Sequence, residues 1–88
     1  MAVELASAYT VDPQVAIRPE PFGALCYHYG NRRLTFLKSQ DMVAVVEALG
    51  CHDTVADALS SAGIGDARWP IFIRALDSLE ASRVIHER

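Results

Sequence analysis

The sequence predicts an α+β domain in which three antiparallel strands precede three helices, a winged helix-turn-helix-like order. Three observations carry this. Gly30-Asn31 separates two runs rich in aromatic, leucine and β-branched residues, the mark of a hairpin. Ser39 then opens a stretch with apolar residues at helical spacing. The last two helical patterns are joined by a short glycine-containing turn, which reads as helix-turn-helix.

The elements follow in order. Residues 1–13 read as a flexible arm closed by the turn signal Asp12-Pro13, and residues 14–88 as one domain. Gln14 to Arg18 alternates apolar and polar residues, giving a first strand over 14–18 that Pro19 and Pro21 end. The hairpin places the second and third strands at 23–29 and 32–38. A two-residue Gly30-Asn31 loop pairs Tyr29 with Arg32, Tyr27 with Leu34 and Leu25 with Phe36. Leu25, Tyr27, Leu34 and Phe36 make the larger apolar surface and are expected to face the core. The same loop makes those pairs the hydrogen-bonded ones, so the backbone groups of Arg33, Thr35 and Leu37 are expected to point outward. A meander leaves the third strand at an edge; the alternative has the first strand lying beside the third and covering it.

The first helix is predicted over 40–49, with Ser39 as its cap, Met42, Val45, Val46 and Leu49 as its stripe and Gly50 at its stop. Thr54 opens a helix over 55–62 that Gly63 ends. The third runs over 67–82, with Pro70 in its first turn. Trp69, Phe72, Ile73, Leu76 and Leu79 form its stripe, and Val84-Ile85 returns to the core.

Composition narrows the function. A chain of 88 residues with 51% hydrophobic content builds one modest core, with little room for an enclosed catalytic cavity. The net charge is −3, and no basic run stands out to attract nucleic acid. No stretch suits a signal peptide or a membrane span, so the expected location is cytoplasmic. Cys26, His28, Cys51 and His52 have the spacing of no known zinc motif and read as two thiols and two surface histidines. No nucleophile–base arrangement and no phosphate loop appears, so neither catalytic residues nor a cofactor are expected. The third helix exposes Arg68 and Arg74 but also Asp77 and Glu80. A DNA-binding winged-helix regulator is therefore the alternative reading, not the first. A free strand edge, in contrast, is a place for an extended peptide to add. Leu37, Trp69, Phe72 and Ile73 are the candidate apolar walls beside it.

The run from Ile17 to Ser39, with its Arg-Pro-Glu-Pro-Phe-Gly-Ala-Leu start, its Tyr-His-Tyr-Gly hairpin and its Arg-Arg-Leu-Thr-Phe-Leu-Lys-Ser strand, resembles the small peptide chaperone of mycofactocin biosynthesis. It covers about a quarter of the chain closely; the helices agree in pattern and length. More distantly the layout is similar to the chaperone of pyrroloquinoline quinone biosynthesis, another precursor-peptide recognition element. In that relative the third strand usually ends in Leu-Asn, where this chain has Leu37-Lys38-Ser39. The resemblance implies a non-catalytic binder. It takes the leader of a precursor peptide as an added strand beside the third helix and delivers it to a radical S-adenosylmethionine maturase. The peptide-binding residues expected on both grounds are Arg33, Thr35, Leu37, Trp69, Phe72 and Ile73. The sequence leaves the oligomeric state open.

Overall fold

The computed structural model describes residues 3–88. Five strands, three α-helices and two 3-10 turns are assigned among them. They run β1 (Tyr9–Val11), β2 (Val15–Glu20), β3 (Gly23–His28), β4 (Leu34–Leu37), α1 (Gln40–Ala48), α2 (Val55–Ser61), α3 (Trp69–Ala81) and β5 (Ile85–Glu87). The strands β2, β3 and β4 form an antiparallel meander with β3 in the centre, as the sequence predicts, so β4 lies at an edge. The 3-10 turns Leu49–Cys51 and Asp66–Arg68 extend α1 and precede α3.

Local chemistry explains most helix ends. Ser39 Oγ accepts the Met42 N–H at 3.0 Å, and Thr54 Oγ1 accepts the Asp57 N–H at 3.1 Å. Each hydroxyl satisfies an N–H that the first turn leaves unpaired. Gly63, with φ of 79°, stops α2. Gly50 does not stop α1; it lies inside the 3-10 turn that continues it. Gln40 Nε2 donates to the Glu20 carbonyl at 3.1 Å and ties α1 to the end of β2.

The N-terminal arm is not loose in the residues described. Val3 and Tyr9 are buried, and β1 pairs with β5, Tyr9 opposite Glu87 and Val11 opposite Ile85. Before that strand, the carbonyls of Ser7 and Leu5 accept the N–H groups of Val55 and Ala56 at the start of α2. The predicted return of Val84-Ile85 occurs, and it brings this second sheet with it. Pairing across such a sequence separation leaves no local signature.

Strand β2 runs through Pro19 to Glu20 instead of stopping at Arg18. Pro19 opposes Ala24, a pair whose β2 backbone groups point away from β3, so no ladder donor is lost. The proline also spoils that outer edge for an incoming strand. Of the two edges of this sheet, the one along β4 is free of proline.

The core lies on the opposite sheet face from the one expected. Ala24, Cys26 and His28 of β3 and Leu37 of β4 are buried on the side that α1 covers, and the core there includes Met42, Val45 and Val46 of α1 and Phe72, Leu76 and Leu79 of α3. Leu25 and Tyr27 are half-buried, and Leu34 and Phe36 are exposed. The small Ala24 and Cys26 let α1 approach β3 closely, which the bulkier face does not permit. Gly23 belongs to the same close packing: its φ is 154°, and a Cβ there would stand 2.0 Å from the Leu37 carbonyl oxygen.

Tyr9 supplies a pH-dependent contact within this core. Its hydroxyl donates to Glu80 Oε2 at 3.1 Å. Burial first, then the Glu80 bond and the charges of Glu80, Glu87 and Asp77, push its phenol up to about 12. An unfolded tyrosine loses its proton at about pH 10. The contribution is therefore complete below that pH and lost as the pH rises through the folded value. Denaturation at pH 10 and 12 should show wild type losing on the order of 2 kcal/mol more than Tyr9→Phe. Equal losses would remove Tyr9 from the account.

Candidate functional site

The β3–β4 register is the predicted one, with Tyr27 opposite Leu34, Leu25 opposite Phe36 and Ala24 opposite Leu37. The turn that sets it is different. It is a four-residue loop, Tyr29 to Arg32, with His28 N–H bonded to the Arg33 carbonyl at 3.0 Å. Arg32, not Gly30 or Asn31, takes the positive φ, 60°. The cause is His28, which is buried and not a surface histidine. Its Nδ1 accepts the N–H groups of Gly30 at 3.0 Å and Asn31 at 3.1 Å. Asn31 Oδ1 then accepts the Arg33 N–H at 2.9 Å. Gly30 is needed here because a Cβ would meet Gln14 and His28.

A wider loop keeps the register but reverses the hydrogen-bonding phase. Bonded pairs alternate along an antiparallel ladder. With His28–Arg33 bonded, Cys26–Thr35 and Ala24–Leu37 are bonded too. The outward backbone groups of β4 therefore belong to Leu34 and Phe36, not to Arg33, Thr35 and Leu37. Among the described residues no strand pairs with this edge.

Beside the edge lies a groove of about 490 Å³ between β4 and α3. Phe36, Leu37 and Met42 line one side, and Ile71, Phe72, Ala75 and Leu79 the other. Thr35, Ser39, Ser78 and Lys38 supply its polar atoms. The α3 wall follows from 3.6-residue periodicity: positions 71, 72, 75, 78 and 79 share a side of the helix. Arg68, just before α3, reaches across to α1. Its guanidinium lies 2.8 Å from Asp41 and 5.2 Å from the Phe72 ring centroid.

Three of the six residues expected to bind peptide meet in this groove: Thr35, Leu37 and Phe72. Leu37 and Phe72 form its floor, being 2% and 6% exposed. The other three lie elsewhere. Arg33 is exposed beside the hairpin loop, and Ile73 packs half-buried against the core. Trp69 also packs there, its indole N–H bonded to the Ile64 carbonyl at 2.9 Å. Ile71 was missed. It is 70% exposed on the rim, and its position one residue before Phe72 was the available signal.

The remaining candidate ligands are dispersed. Cys26 is buried in the sheet, Cys51 is exposed after α1, and His28 is engaged by the hairpin loop. Among the described residues no helix is long and apolar enough to cross a membrane.

Comparison with known proteins gives one consistent answer. The profile of the peptide chaperone MftB family matches residues 8–86. Peptide chaperone MftB of Mycolicibacterium smegmatis is 41% identical over 93 residues, covering 97% of this chain and 91% of that relative. Its namesake in Mycobacterium ulcerans is 46% identical over 72 residues, 82% of this chain and 66% of the relative. The Mycobacterium tuberculosis protein of the same name is 41% identical over 80 residues, 91% of this chain and 73% of the relative. No solved structure matches significantly. The shared name describes a peptide chaperone, a non-catalytic role. A profile match across β1 to β5 and three relatives above 40% identity establish that this chain belongs to the peptide chaperone MftB family.

Proposed function

We propose that this chain binds the leader of the mycofactocin precursor peptide as a strand added to β4, and presents it to a radical S-adenosylmethionine maturase in the cytoplasm. The observation that carries the reading is a strand edge, unpaired among the described residues, lying directly beside an apolar groove. Main-chain bonds to Leu34 and Phe36 supply affinity, and the groove selects alternate side chains. Arg32 and Arg33 stand exposed at the loop end of β4, where they attract acidic leader residues. Each adds under about 1 kcal/mol while solvated. The chain thus acts as a recognition element, and the peptide chemistry belongs to the maturase.

Calorimetric titration of the purified protein with a synthetic full-length precursor peptide tests this. Binding should saturate at one peptide per chain and change little between about 50 and 200 mM salt. A nucleic-acid binder making 6–10 phosphate contacts would lose about 10³–10⁵ in affinity over that range. Absence of heat at any peptide concentration would sink the proposal.

A further inference from the structure

The outer face of the β2–β3–β4 sheet is apolar in a graded way. Its β2 residues are Ala16, Arg18 and Glu20, the last two joined by a 3.0 Å ion pair. Its β3 residues Leu25 and Tyr27 are half-buried. Its β4 residues are Leu34 and Phe36, 54% and 51% exposed. Phe22, 47% exposed at the tip of the β2–β3 loop, meets Phe36 edge-to-face with centroids 6.1 Å apart. Phe22, Phe36 and Lys38 enclose a shallow hollow beside the edge. A sheet face turned to water ordinarily carries polar side chains. This one does so at β2 and departs from it toward the open edge.

We infer that Phe22, Leu34 and Phe36 form a second subsite that reads the bound leader on the outer face. The recognised segment then carries bulky apolar side chains at two adjacent positions, one for each face. The inference rests on the strand-addition reading and follows from its geometry. Successive side chains of an added strand alternate between faces. In an antiparallel addition the peptide residue opposite Phe36 exchanges backbone bonds with it, and its side chain stands on the same face, its Cβ about 5 Å from that of Phe36. Its immediate neighbours fall on the helix side, over the groove. Both sets therefore meet apolar protein surface. The gradient identifies the occupant: a second copy covering the whole face would meet the charged pair on β2, whereas a strand at the β4 edge meets only the apolar part.

The test uses fluorescence anisotropy with a labelled synthetic precursor peptide and its single-alanine versions across the leader. Wild type, Phe22→Ala and Leu34→Pro are compared, with circular dichroism melts. Phe22 lies in an exposed loop, and Leu34→Ala serves as the second outer-face variant should Phe22→Ala melt early. Alanine at two adjacent apolar leader positions should each weaken binding about tenfold. Phe22→Ala should weaken the unaltered peptide about five- to tenfold, a range that a lost aromatic contact and its burial support. Against one of those two alanine peptides it should cost nothing further, the signature of a shared contact. Losses confined to alternate leader positions, with Phe22→Ala binding like wild type, overturn the subsite and leave strand addition standing. Unchanged binding by Leu34→Pro overturns strand addition and the subsite together. Should sedimentation show that Phe22→Ala dissociates a dimer while binding peptide normally, the face belongs to a second copy and the inference is wrong.

Discussion

Leu34→Pro should cut affinity for the precursor peptide by about 10- to 100-fold while leaving the domain folded. That range corresponds to one lost edge bond plus an unsatisfied carbonyl on the peptide, about 1–3 kcal/mol. The Leu34 N–H points out of the sheet, so proline there removes no ladder bond, and it occupies the first position of β4, where proline is tolerated. Leu34→Ala separates the side chain from the donor, since it keeps the N–H. Thr35→Pro behaves differently. Thr35 opposes Cys26 in a bonded pair, so its proline breaks the centre of the β3–β4 ladder and lowers the melting temperature. A folded Leu34→Pro protein that binds as tightly as wild type would place the peptide off this edge.

Ile71→Asp should abolish measurable binding without destabilising the fold. Ile71 is exposed on the groove rim, so the free protein leaves the new carboxylate in water. An apolar leader side chain seated against it would strip that water, at a penalty worth about 100-fold in affinity or more. Ile73→Asp is the paired control. Ile73 lies two residues further along α3 but packs against the core, so its substitution should lower stability first. Calorimetry and thermal melts on the two variants distinguish them. If Ile71→Asp binds normally, the groove does not hold peptide; if Ile73→Asp is the better-folded variant, the assignment of the two faces of α3 is reversed.

The candidate site is partly legible in the sequence, for reasons visible residue by residue. The groove lies where the hairpin and third helix predicted it, with Thr35, Leu37 and Phe72 within it. Trp69 and Ile73 lie outside the groove, because a helical stripe shows which residues are apolar, not which neighbour each one touches. The outward backbone groups fall one residue out of phase with the expectation. A Gly-Asn pair suggests a two-residue loop, but the buried His28 gathers the Gly30 and Asn31 N–H groups into a four-residue one.

By itself the sequence determined what depends on near neighbours along the chain. The meander order, the β3–β4 register, the caps at Ser39 and Thr54 and the stop at Gly63 all rest on segments adjacent along the chain. The family motif also lies in one continuous run, Ile17 to Ser39. Tertiary structure decided what depends on distant partners. It paired β1 with β5, buried the face with Ala24, Cys26 and Leu37 instead of the bulkier one, and left Phe36 and Ile71 at the mouth of the groove. The physical reason is that alternation divides a strand into two faces but does not say which one the helices will cover. The small side chains of β3 admit α1 closely, and that packing leaves the large apolar residues beside the open edge.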